Sequence, residues 1–306
     1  MNGLIRKTQW NAWLLAAAVP AILSTVGRNG WLTVLLAAIV TGVLSLCALS
    51  CPKLPIPKWL RILELSWLAV FLGATAGNAD ACWEQGQTFP AIGLILLILA
   101  AFAAQKGALR MARVGATLVW LVLPVIALIL LAGMTDANTK WIRTDLELPD
   151  GYLVGILLLP AVSLFLPTET GKTSKWPICI LGIVAVLCAI MLDSVLGASV
   201  ASGADNAFYE FSKSVNLYGI AERFEAVVGC VLTIGWFLLF TILLSAAYHL
   251  SGNRGWAVWL IAALSGAIMC ILPNSSNWTA NAALIFWGFL PAITQGVVGA
   301  KNIIKK

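Results

Sequence analysis

Residues 9–27 read QWNAWLLAAAVPAILSTVG and residues 151–167 read GYLVGILLLPAVSLFLP. Each is an apolar run of membrane-spanning length with a proline near its middle. Pro20 lies eleven residues past Gln9, roughly 16 Å along a helix, and Pro160 lies nine past Gly151, roughly 13 Å, at the helical rise per residue. Both distances put the proline near the centre of a hydrocarbon core about 30 Å thick. A proline inside a helix withholds one N–H and clashes with the carbonyl four residues back. Lipid satisfies none of the backbone groups so freed, so they must face protein, water or a solute.

Reading outward from these two runs, the chain resolves into ten apolar segments: 9–27, 30–50, 62–80, 88–105, 110–133, 151–167, 176–199, 223–248, 255–272 and 279–299. Of the 306 residues, 60% are hydrophobic and only 10% charged. Soluble domains carry about 25% charged residues, so the composition implies an all-α integral membrane protein. Residues 1–306 read as a single membrane domain. An apolar N-terminus this long, without a small-residue cleavage site, reads as a first span and not as a signal peptide.

The net charge of +6 is explained by topology and not by nucleic acid. With a cytoplasmic N-terminus, the inner ends collect Arg6, Lys7, Lys53, Lys58, Arg61, Lys106, Arg110, Arg113, Lys172, Lys175, Arg254, Lys301, Lys305 and Lys306. Arg28, Lys140, Arg143, Lys213 and Arg223 remain outside. That asymmetry follows the positive-inside rule and places both termini in the cytoplasm. Asp80, Glu84, Asp136, Asp145, Glu147, Asp150, Asp205 and Glu210 fall in outer segments. The seven cysteines form no CxxC pair and suggest neither a disulfide framework nor a zinc site.

Ten spans divide into two sets of five, residues 1–133 and 151–300. Five is odd, so a second set built like the first lies inverted in the bilayer. Inverted repeats place their sites at interrupted helices near the midplane, and Pro20 and Pro160 occupy the first span of each half. Either proline alone reads equally as a kink, as Pro124 does; their correspondence favours paired interruptions. The expected solute-binding set is Val19, Pro20, Ala21 and Ser24 with Leu159, Pro160, Ala161 and Ser163, and Thr233 alongside.

Ionisable groups at membrane depth mark functional positions. Asp193 lies toward the outer end of the seventh segment, and Glu222, Arg223 and Glu225 open the eighth. They read either as a solvated cap or as a gate or ion pair, with Asp193–Arg223 the expected contact. Catalysis is not expected. Ser199 and His249 fall at opposite faces, and the chain offers neither a second intramembrane aspartate, a metal-ligand cluster nor a phosphate loop. No cofactor is implied.

Three patches resemble the spore-germination permeases, the B-type subunits of germinant receptors. These are Gln9 and Pro20 followed by Gly27-Arg28-Asn29-Gly30-Trp31, then Leu164-Phe165-Leu166-Pro167 before a polar loop, and Ile220-Ala221-Glu222-Arg223-Phe224-Glu225-Ala226. The resemblance implies a LeuT-like 5+5 inverted repeat with helices 1 and 6 broken, within the amino-acid–polyamine–organocation superfamily. It also implies a multi-pass protein of the spore inner membrane that binds a small germinant such as an amino acid, alongside other receptor subunits. One departure is the lack of glycine between Gln9 and Val26, where relatives use one. A secondary amino-acid transporter, proton-coupled through Asp193 or Glu225, and a ligand-free structural subunit are the alternatives.

Overall fold

A computed structural model describes residues 4–50, 57–81, 91–168, 175–204, 206–214, 224–271 and 281–290. The helices fall on the apolar segments in order. They are α1 (Lys7–Val26), α2 (Trp31–Ser50), α3 (Lys58–Ala81), α4 (Ala91–Gln105) and α5 (Ala108–Gly133). After an outer segment with two 3-10 turns come α6 (Gly151–Leu157), α7 (Leu159–Val162) and α8 (Trp176–Leu196). Two short helices, α9 (Ala198–Gly203) and α10 (Ala207–Ser214), precede α11 (Phe224–Leu250) and α12 (Gly255–Ile271), and Leu284–Phe289 is π-helical. Among the described residues, five helices are long and apolar enough to cross a membrane: α2, α3, α5, α8 and α11. Helices α4 and α12 are apolar but shorter.

These helices are inside out relative to those of a soluble protein. Helix α2 exposes Leu36, Ile39, Val40 and Val43 and buries Thr33, Val34, Ala37, Thr41, Ser45 and Ala48. Helix α4 exposes Ile95, Ile98, Leu99 and Phe102 and buries Gly93, Ala100, Ala101 and Ala104 together with Leu96 and Leu97. A buried face rich in small residues and an exposed face of large apolar ones is the pattern of helices that associate in lipid, where close backbone approach replaces the hydrophobic effect as the driving force.

Helix α1 is different: every residue from Trp13 to Val26 is buried, so it has no lipid face. A helix buried on all sides belongs at the centre of the bundle, and α5, α11, α8 and α6 surround it. Helices α3, α4, α11 and α12 pack on one another in every combination, and α6 and α8 each pack on both α1 and α2 as well as on one another.

The expected break in the first span is not there: α1 continues unbroken through Pro20. Packing explains why. A Cβ on Gly235 of α11 would lie 2.3 Å from Pro20 Cβ, so the absence of a side chain at residue 235 leaves room for the pyrrolidine ring. Without a glycine of its own near Pro20, α1 also lacks a residue that unwinds at low cost. The sixth span does break. Helix α6 ends at Leu157, Leu158 separates it from α7 with Pro160 in the first turn, and a 3-10 turn over Ser163–Phe165 follows. Beyond it, the Ile5 N–H donates to Pro167 O at 2.9 Å, and Ile5 bridges Thr168 in parallel.

Candidate functional site

Helix α1 packs against both α6 and α7, so the two proline-bearing stretches lie together. Val19, Pro20, Ala21, Ser24, Leu159, Pro160, Ala161 and Ser163 are all buried. Contact between Pro20 and Gly235 brings α11 alongside, two residues from the half-buried Thr233. The hydroxyls are used locally: Ser24 Oγ donates to Ala21 O at 2.8 Å, and Thr233 Oγ1 to Gly229 O at 2.8 Å. At the discontinuity the backbone is paired as well: the Leu158 N–H donates to Val154 O at 3.1 Å and Leu158 O accepts from the Ala161 N–H at 2.9 Å.

Across the end of α1 and the last turns of α8 lies a charged clasp built by the segment 134–150. Asp193 is fully buried, and among the described residues it pairs with Arg143; the expected partner, Arg223, lies outside the described residues. Arg143 Nη2 and Nε donate to Asp193 Oδ1 at 2.8 and 3.0 Å, and the Arg143 backbone N–H donates to Oδ2 at 3.2 Å. Nη2 also reaches Gly27 O at 2.8 Å, at the end of α1. Asp193 sits in the last turns of α8, where the helix dipole disfavours an anion, which makes the guanidinium more necessary. Glu222 and Arg223 lie outside the described residues, and Glu225 is half-buried in the first turn of α11. A cleft of about 670 Å³ opens beside the clasp, lined by Lys140–Asp145 and Leu196–Ser199.

A second tie joins the two proposed halves. Asp150 caps α6, its Oδ1 accepting from the Tyr152 N–H at 3.0 Å, while Oδ2 lies 3.5 Å from Arg28 Nη1. The Asp150 N–H donates to Asn29 Oδ1 at 2.8 Å, and Arg28 Nη2 donates to Asn78 Oδ1 at 3.2 Å. Burial raises the Asp150 carboxyl above its ordinary value, opposed by the Tyr152 N–H and by Arg28. Thr33 adds a relay, donating to Asp145 O and accepting from the Glu147 N–H. Replacing Asp150 with alanine removes both cap and pair, whereas asparagine keeps the cap. Asp150→Ala is expected to cost about 0.5–2 kcal/mol for the cap alone. Asp150→Asn is expected to fall between it and wild type in thermal unfolding.

Arg143 and Asp150 read in the sequence only as outer-loop charges, because their partners lie 50 and 122 residues away. Glu64 is a third residue the sequence reading passed over. It is fully buried inside α3, but its neighbours Lys58 and Arg61 give that end of the helix the appearance of a headgroup-level boundary. The apolar residues flanking it, Ile62, Leu63 and Leu65, are the signal that was available.

Among the described residues no group of three or more potential metal ligands occurs. The chain matches no protein-family model and no curated protein.

Proposed function

We propose that the chain is a permease-like integral membrane subunit of a spore germinant receptor. On this reading it has ten spans in a LeuT-like inverted repeat, with both termini cytoplasmic. It binds a small solute such as an amino acid near the midplane, between α1, the α6–α7 break and α11. The observation that carries the reading is the symmetry of the packing. Let α1 to α5 be the first five spans. The second five are then α6–α7, α8, α11, α12 and the helix at 281–290. Exchanging the sets turns the α3–α12 contact into α11–α4, α1–α8 into α6–α2, and α2–π-helix into α8–α5; all six pairs are in contact. It also turns the close approach of Pro20 to Gly235 into one between the sixth and third spans, where a Cβ on Gly155 would meet the Phe71 ring. Such an exchange is what two structurally equivalent halves require, and it supports the inverted-repeat reading, in which solute sites lie between the halves.

Thermal unfolding of the purified protein against amino acids, nucleosides and sugars tests the reading, because a ligand that binds only the folded state stabilises it by mass action. A compound present at about 100 times its Kd is expected to add about 2.7 kcal/mol. That gain should vanish when the Leu158–Ser163 segment is altered. No shift with any compound, in the presence of the partner subunits, removes the reading in favour of a ligand-free structural subunit. Net flux of the same compound into liposomes separates a secondary transporter from a sensor. The transporter reading gains support from the buried carboxyl of Glu64, considered next.

A further inference from the structure

Asp193 has a guanidinium and Asp150 has an N–H donor and a nearby arginine, but among the described residues Glu64 has no such partner. Its side chain is fully buried, and neither Oε1 nor Oε2 has a hydrogen-bond partner among the described residues. It lies six residues into α3, about 9 Å along the helix from the inner end.

Its direction follows from the helix face. Ala69 O accepts from Ser265 Oγ at 3.0 Å, and a Cβ on Gly73 would meet Ser265 O, so that side of α3 packs on α12. Glu64 lies instead on the face of Trp67 and Phe71, three and seven residues on. Those rings turn inward onto the tenth segment. Trp67 stacks on Phe286 with centroids 5.2 Å apart, and Phe71 meets Trp287 edge-on at 4.6 Å. Phe286 and Trp287 belong to the π-helical turn, a local geometry that recurs at functional sites. Glu64 thus stands one turn to the inner side of an aromatic cluster, on the interior side of α3.

Among the described residues, the charged and titratable groups at the corresponding ends of the surrounding elements are Lys58 and Arg61 on α3, Lys106 after α4, Tyr248 and His249 on α11, and Arg254 before α12. Among the described residues, none of them forms an ion pair with Glu64. The 281–290 helix contributes no titratable residue. An ionised carboxylate buried without a partner costs so much that the group neutralises instead. Ionisable residues kept at such a place in a membrane protein mark ion and proton pathways.

We propose that Glu64 is a proton-binding site in the core of the protein. In this closed arrangement it is loaded as the neutral acid, and it exchanges its proton with the inner aqueous side. Loading forms one O–H bond between a carboxylate oxygen and a proton taken from hydronium; unloading returns the proton to water, and no other bond changes. A proton fits where a metal or ammonium ion does not, because it needs no coordination shell and both oxygens here lack donors and acceptors alike. The assignment is independent of which solute, if any, the protein binds.

The test is infrared spectroscopy of the full-length protein in liposomes at neutral pH, comparing wild type with Glu64→Gln. The expected result is a neutral-acid carbonyl stretch in the wild type that shifts on exchange into heavy water and is lost completely in Glu64→Gln. Identical spectra in that region mean that Glu64 is ionised and overturn the proposal. Should the variant fail to fold, the wild type alone decides through N,N′-dicyclohexylcarbodiimide, which adds to neutral carboxylic acids in apolar surroundings. Peptide mapping is expected to find the adduct on Glu64, with a yield that falls as the medium is made alkaline. Modification confined to other carboxyls overturns the assignment.

Discussion

Replacing Arg143 with methionine is expected to lower the stability of the folded protein by about 3–5 kcal/mol, the usual cost of stranding one partner of a buried ion pair. Asp193 has no exposed surface, and its carboxylate accepts two hydrogen bonds from the Arg143 guanidinium and one from the Arg143 backbone N–H. Water therefore does not reach the orphaned carboxylate unless the outer segment lifts away. The double variant Arg143→Met with Asp193→Asn is expected to recover most of the loss, since replacing both charges by neutral groups of similar volume is often close to neutral. Equilibrium unfolding in mixed micelles measures both. A double variant no better than the single one would mean that Arg143 acts through its contact with Gly27 O and not through Asp193.

Trp287→Ala is expected to cost a similar amount, about 3–5 kcal/mol, for a different reason. Trp287 is fully buried and lies edge-on to both Trp67 and Phe71, with centroids 5.9 and 4.6 Å away. In lipid the loss is one of packing, not of transfer from water. The cavity left behind would loosen the contact between the third and tenth segments. Trp287→Phe keeps an aromatic edge toward Phe71 and is expected to lose less than half as much. Unfolding midpoints of the two variants give the comparison.

Much of the helical layout was legible because membrane spans are written locally. The apolar segments and the discontinuity in the sixth each follow from residues within one helix, and Pro160 lies two positions from the observed discontinuity at Leu158. What was not legible depends on partners distant in the chain. Pro20 looks like a break until Gly235, 215 positions later, is seen to accommodate its ring. The pairing of Asp193 with Arg143 was not legible either, because Arg143 enters the site as part of the 134–150 segment, 50 residues earlier in the chain. Glu64 was hidden differently: whether a charge near a span end is in the headgroups or in the core depends on tilt and neighbours, which no single helix records.

The hydrogen bond from the Ile5 N–H to Pro167 O moors the leading end of the polypeptide to the far end of the broken sixth span. Any displacement of residues 163–168 must either carry residues 4–6 with it or sever the mooring. A spectroscopic label on Leu4 would thus report motion of the segment after α7, turning an isolated backbone contact into a pointer for rearrangement at the helix discontinuity.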